Sequence, residues 1–265
     1  MAENSGIAWT THTFNPWIGC TKVGPGCDHC YAAAMDHRFG GGHWGTGSAR
    51  KRTSAGNWSK VRTWNRIAEK AGARPWVFVA SLADVFDNEV PMEWRDDLWT
   101  LIAECANLNF QIVTKRVGNV GKMLPANWGM EAFAHVGIIA TVVTQEECDR
   151  DLPKLTSLKR NDSIAWIGLS IEPQIDRVVP KEPVDWVITG GESDQAGARA
   201  RPYNLAWAEI LIGWGSREGV PIFVKQLGSN IARGCKFSDR AGADPSEWPG
   251  ELRVREMPTL QEPRS

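Results

Sequence analysis

Apolar residues fall in short runs separated by polar or turn-forming stretches along most of this chain. Trp76 to Ala80, Phe110 to Val113, Val136 to Val143, Ile164 to Ile171, Trp186 to Thr189 and Val220 to Val224 are each bounded by turn or helix-start residues. Such brief, nearly continuous apolar runs read as parallel strands buried on both faces. Between several of them, Met92 to Ala106, Glu146 to Leu158 and Leu205 to Glu218 repeat apolar residues every three or four positions, which predicts amphipathic helices. With a first strand around Phe14 to Ile18 the alternation amounts to about seven strand–helix units. It predicts an α/β fold in one domain over residues 1–265: a complete or partial parallel (β/α) barrel of the TIM type, with a doubly wound open sheet as the alternative.

Polar residues gather where the strands should end. Ser81 and Asp84 follow the second strand; Thr114, Lys115 and Arg116 the third; Ser170 and Glu172 the fifth; Gly190, Gly191 and Glu192 the sixth; Lys225 and Gln226 the seventh. In a parallel sheet these ends share one face, and that face builds the site. Two segments depart from the alternation. Residues 38–66 hold six glycines, no acidic residue, and tryptophans interleaved with basic groups. They are expected to form a basic excursion or lid, with Arg50, Lys51, Arg52, Trp58, Arg62 and Trp64, together with Arg116, as candidate contacts to a substrate or nucleic acid. Residues 229–265 read as an irregular tail wrapped on the domain.

Composition adds exclusions. The 30 basic and 31 acidic side chains nearly cancel, so any nucleic-acid binding must come from a local patch. No apolar run is long enough for a membrane span and no leader pattern opens the chain, so a soluble, cytoplasmic protein is expected. Six cysteines in 265 residues are too few for a disulfide scaffold, and Cys105 and Cys148 are expected to be buried as small hydrophobes. Most of the 14 tryptophans are expected in the core.

Cys20, Cys27 and Cys30 stand apart because their spacing is C-x6-C-x2-C. Two sulfurs of a C-x-x-C turn converge, and Gly24-Pro25-Gly26 lets the loop fold back so that Cys20 joins them. Four readings follow. Zinc would need a fourth ligand from His37, His43 or a remote cysteine. A redox C-x-x-C pair gives Cys20 no role, and a chance grouping of buried cysteines leaves the glycine loop unexplained. A four-iron four-sulfur cluster uses all three thiolates and keeps one iron open for a small molecule.

Five stretches together carry a family resemblance. They are Asn15-Pro16-Trp17-Ile18-Gly19-Cys20-Thr21-Lys22-Val23, Cys27-Asp28-His29-Cys30-Tyr31, Phe110-Gln111-Ile112-Val113-Thr114-Lys115-Arg116, Asp185-Trp186-Val187-Ile188-Thr189-Gly190-Gly191-Glu192-Ser193 and Val224-Lys225-Gln226-Leu227-Gly228. The chain resembles the phage-associated three-cysteine-motif proteins, a family described largely as of unknown function. Its cysteine segment and barrel pattern are similar to the radical S-adenosylmethionine superfamily, although that superfamily usually spaces its cysteines C-x3-C-x2-C and carries its Gly-Gly-Glu motif at the second strand.

This similarity implies a 4Fe-4S cluster on Cys20, Cys27 and Cys30 whose open iron binds the amino and carboxylate groups of S-adenosylmethionine. A reductant of flavodoxin or ferredoxin type supplies one electron, and cleavage of the cofactor yields a 5'-deoxyadenosyl radical that abstracts a substrate hydrogen. Gly190, Gly191, Glu192, Glu172, Ser170, Lys115, Lys225 and Gln226 are then the cofactor-binding candidates. The carboxylates suit an ammonium or ribose hydroxyls, the cations a carboxylate or phosphate. The expected substrate is a nucleic acid or nucleoside, with a separate partner protein left open. The competing expectation is a zinc- or cluster-stabilised nucleic-acid-binding or nuclease-like phage protein without radical chemistry.

Overall fold

The computed structural model describes residues 2–126, 128, 133–161 and 164–260. Seven strands form the main sheet: β1 (His12–Phe14), β4 (Trp76–Val79), β5 (Asn109–Thr114), β6 (Val136–Thr141), β7 (Trp166–Ile171), β8 (Trp186–Gly190) and β9 (Ile222–Gln226). They pair in that spatial order, every pair parallel. A doubly wound sheet needs a point where strand order reverses, and this order never reverses. The two short strands β2 (Trp17–Ile18) and β3 (Lys51–Arg52) pair antiparallel on their own. The first barrel strand therefore ends where the apolar pattern was expected to begin, because Asn15-Pro16 interrupts the run.

Side chains alternate along each strand. Val77, Val79, Ile112, Ile138, Ile167, Leu169 and Val187 face the helices in the larger core, while Trp76, Phe78, Val113, Ile139, Trp166, Trp186, Ile188 and Phe223 face the inside in a second one. Burial on both faces is why the strands read as continuous apolar runs. The sheet also curls. In a flat sheet β4 and β8 would lie roughly 19 Å apart, at about 4.8 Å per strand. Yet the Trp9 ring lies 4.8 Å from Phe78 on β4 and 6.0 Å from Trp186 on β8. One indole can touch both only inside a half-barrel. Gly137 makes room there, since a Cβ on it would sit 2.0 Å from the Trp166 ring.

The connections run α1 (Tyr31–Arg38), α2 (Ala55–Ala71), α3 (Met92–Glu104), α4 (Val117–Met123), α5 (Gln145–Arg160), α6 (Leu205–Glu218) and α7 (Gly228–Cys235). No described helix joins β7 to β8. The basic segment 38–66 is not an excursion throughout, because its second half belongs to α2, the crossover helix before β4. Trp58, Val61 and Trp64 form the face of α2 that packs into the core. After α7 the tail wraps on the β9 side. Trp248 and Leu252 are buried against Tyr203, Val224 and Leu227, and Val254 and Glu256 bond the backbone of Val224 and Ile222. Ala2 makes a matching bridge to Thr13, so both free edges of the sheet are covered by chain termini. Cys105 and Cys148 are buried, as are most of the tryptophans. Among the described residues no helix is long and apolar enough to cross a membrane.

Candidate active site

The C-terminal ends of the parallel strands open into a cavity of about 550 Å³. Its lining includes Ser81 and Asp84 after β4, Thr114 at the end of β5 with Lys115 and Arg116 beyond it, Ser170 in β7 and Glu172 just after it, Gly191 and Glu192 after β8, and Lys225 and Gln226 from β9. Phe78, Val113 and Trp9 supply an apolar floor, and Cys20, Cys27 and Cys30 complete the wall. The volume falls in the range of small-molecule sites, about 300–1,000 Å³.

The chain delivers the cysteines in two steps. Asn15 leaves β1 and is tied to the next strand end, its Oδ1 accepting from Leu82 N at 2.8 Å and its amide donating to Ser81 at 3.0 Å. Gly19 then turns with φ +113° so tightly that a Cβ would sit 2.3 Å from the His43 carbonyl. Cys20 emerges from this turn into a buried ionic cluster. Arg116 donates to the Cys20 sulfur at 3.2 Å and to the Thr21 carbonyl at 2.6 Å, and pairs with Asp84 at 3.2 Å. Arg50 donates to Thr21 Oγ1 at 2.6 Å and to Asp87 at 2.9 Å. The Pro25–Cys27 turn leads to Cys30, which stands at the N-cap of α1.

Burial and Asp84 push the Cys20 thiol up to about 11 against the opposing pull of Arg116. The thiol is therefore protonated at neutral pH, and its Sγ lies 3.5 Å from the Thr21 carbonyl oxygen, to which it donates. Binding a metal there would require loss of that proton. Among the described residues no three His, Cys, Asp or Glu side chains are grouped to close on a single metal ion. A four-iron cluster makes a different demand, because each thiolate takes its own iron and the sulfurs surround a volume. Three free thiols around one cavity are a donor set of the right chemistry for it.

Glu192 is engaged from two sides. Arg201 grips it bidentately at 2.6 and 3.0 Å, and His29 Nδ1 lies 2.9 Å from its Oε2. Burial would raise this carboxyl, but the hydrogen bonds from Arg201 and His29 outweigh burial and hold it below its ordinary value. Arg201 also donates to the Pro25 carbonyl at 3.1 Å and lies 3.8 Å from Asp28, which pairs with Lys22. The carboxylate expected to receive a cofactor ammonium thus latches the cysteine loop to β8. Neither Arg201 nor His29 carried a sequence signal for this, since the contact depends on a loop returning nine residues after Glu192.

Other predicted groups divide in the same way. Gly190 and Gly191 lie against backbone, where added Cβ atoms would sit 2.9 Å from the Gln226 carbonyl and 2.4 Å from the Leu227 carbonyl. They permit β8 and β9 to close together. Gln226 donates to Gly191 O at 2.8 Å and Ser193 Oγ at 2.7 Å, across the same seam. Glu172 and Lys225 form a 3.2 Å pair facing the cavity. Lys115 lies along Gly26 of the cysteine loop and has no ion-pair partner among the described residues.

The candidate nucleic-acid contacts are not brought to the cavity, Arg116 excepted. Trp58 and Trp64 are buried, packed on Phe14 and His12, so neither presents a face for base stacking. Arg50 is buried within the chain's own ionic cluster, Arg52 pairs with Asp97 and Arg62 with Glu104, and Lys51 is exposed on β3.

The family described as "Protein of unknown function (DUF5131)" matches residues 4–255. Comparison with curated proteins returns no match. Among solved structures, a cysteine-to-serine mutant of spore photoproduct lyase is similar at 12% identity and a TM-score of 0.47, over 72% of this chain and 59% of that one. A double mutant of spore photoproduct lyase with bound AdoMet and dinucleoside spore photoproduct is similar at 11% identity and a TM-score of 0.45, over 89% and 64% of the two chains. This chain thus spans 59% of the length of the first of these structures.

Proposed function

We propose that this chain, which belongs to the DUF5131 family, is a radical S-adenosylmethionine enzyme acting at the mouth of its half-barrel. The observation that carries the reading is the placement of Cys20, Cys27 and Cys30 on the wall of a cavity lined by the ends of β4, β5, β7, β8 and β9. A metal site built only for stability has no need of an open cavity beside it. Cys20, Cys27 and Cys30 would hold a 4Fe-4S cluster, and Glu172, Lys115 and Lys225 offer the free or exchangeable charges for the ends of S-adenosylmethionine. When bound, the pair supplies one-electron cleavage of the cofactor to methionine and a 5'-deoxyadenosyl radical, which takes a hydrogen atom from substrate.

The chain's own residues do the rest. Trp9, Phe78 and Val113 give an apolar floor beneath the position of a reactive carbon centre, and the Glu192–Arg201–His29 latch holds the cysteine loop against β8. A nucleoside or nucleic-acid component is the proposed substrate class, supported by Lys22, Lys115 and Lys225 around that apolar floor. The electron donor would be a flavodoxin- or ferredoxin-type protein.

Anaerobic reconstitution tests the reading. The wild type should turn brown and bind about four irons per chain, and Cys27→Ala should lose most of that iron. Dithionite and S-adenosylmethionine should then release 5'-deoxyadenosine. A colourless protein that binds one zinc would sink the cluster. A reducible cluster that never yields 5'-deoxyadenosine would sink the radical chemistry and leave the cluster standing.

A further inference from the structure

Of the three cysteine sulfurs, Cys20 alone among the described residues receives a hydrogen bond, and the donor is a guanidinium. That guanidinium is 8% exposed and belongs to Arg116, which follows the C-terminal end of β5. Its Nη1 is shared between the sulfur and Asp84 Oδ2, each at 3.2 Å, while Nη2 fixes the neighbouring Thr21 carbonyl at 2.6 Å. Asp84 does not depend on Arg116 for its hydrogen bonds. Thr114 Oγ1, the Lys115 N–H and the Phe86 N–H donate to it at 2.8, 3.0 and 2.9 Å. Asp87 in turn is held mainly by Arg50, at 2.9 and 2.8 Å against 3.6 Å from Arg116. The two buried acids therefore fix the orientation of Arg116, and what the fork adds beyond them is a cationic N–H aimed at a cysteine that faces the cavity.

We propose that Arg116 is a positioning residue for the iron centre: it holds Cys20 toward the cavity and, through its hydrogen bond to that sulfur, eases the arrival of an electron on the cluster. The inference rests on the four-iron reading given above. An electron added to a thiolate-ligated cluster places more negative charge on its sulfurs. A buried guanidinium at hydrogen-bond distance stabilises the reduced form more than the oxidised one. It also orients the ligand before metal arrives, as groups behind a metal ligand do.

Two variants test this. Arg116→Lys keeps a positive charge near Asp84, but an ammonium cannot span Asp84, the Thr21 carbonyl and Cys20 at once. The double variant Arg116→Met with Asp84→Asn removes the cation together with its main acidic partner, so no unpaired charge is buried in its place. Each is reconstituted anaerobically beside the wild type, its fold compared by circular dichroism, its iron loss followed against a chelator, and its midpoint potential read by EPR-monitored titration. Both variants should lose iron roughly 10-fold faster or more. The cluster they keep should titrate at a more negative potential through loss of the hydrogen bond to Cys20, with no larger shift in the double variant, because it loses the Asp84 charge along with the cation. A folded variant that holds no cluster at all supports the positioning role, and Arg116→Lys alone carries the comparison if the double variant does not fold. Iron retention and midpoint equal to the wild type in Arg116→Lys would overturn the proposal while leaving the cluster intact. A wild type that takes up no iron would overturn the four-iron reading itself, which is a separate and recognisable outcome.

Discussion

Glu192 shows how one carboxylate can serve the loop that carries the three clustered cysteines. Its oxygens are met by Arg201 and by His29, which lies between Cys27 and Cys30. Glu192→Gln keeps the shape and loses the charge, so stability at neutral pH should fall by about 1.5–3 kcal/mol in urea denaturation, the range for hydrogen bonds to a charged group. The pH dependence has a definite sign. The folded carboxyl lies below its ordinary 4.5, so its contribution is fully present above 4.5 and is lost as pH falls through the depressed value. The gap between wild type and Glu192→Gln should therefore be constant from neutral pH down to about that ordinary value and close at lower pH. A gap that persists in strong acid would show that the latch does not depend on the charge.

At the scale of elements, α2 is the instructive case. Its sequence invites a substrate-binding reading because tryptophans alternate with arginines and lysines. On a helix, however, Trp58, Val61 and Trp64 lie three residues apart and fall on one face, which packs inward, while Lys60, Arg62 and Arg66 fall on the other. Arg52 then lies 4.5 Å over the Trp58 ring from the adjoining β3. Trp58→Ala and Trp64→Ala should each lower the unfolding free energy by about 3–5 kcal/mol, the usual cost of emptying a large aromatic site. The same substitutions should leave the salt dependence of oligonucleotide binding unchanged, because neither removes a charge. Fluorescence-monitored unfolding and a binding series across salt would separate the two effects.

The whole molecule is an open half-barrel, and open sheets must protect their edges. Here the chain's own ends do so, Ala2 on β1 and Val254 to Glu256 on β9. Arg255 adds its guanidinium 5.0 Å from the Trp248 ring and 5.5 Å from Phe223, which clamps the tail over the edge. Truncation before Val254 should expose the β9 edge and give concentration-dependent association, visible as a rising mass in light scattering. A truncated chain that stays monomeric would show that edge protection comes from elsewhere.

Period and punctuation along the chain were sufficient for the parallel α/β architecture, because strands buried on both faces have to be apolar throughout and their helices apolar on one side. The same pattern brought the strand-end polar residues and the three cysteines to one cavity, since parallel strands point their polar ends one way and the clustered cysteines sit in the loop after the first strand. The first strand itself was misplaced by a few residues, because Trp17 and Ile18 are as apolar as strand residues and only pairing shows that they leave the sheet for β3. Closure of the barrel, the latch of Arg201 and His29 on Glu192, and the reach of Arg116 to Cys20 were left to tertiary structure. Each is a contact between residues far apart in the chain, and its partners are chosen by curvature and loop return, which local periodicity does not encode.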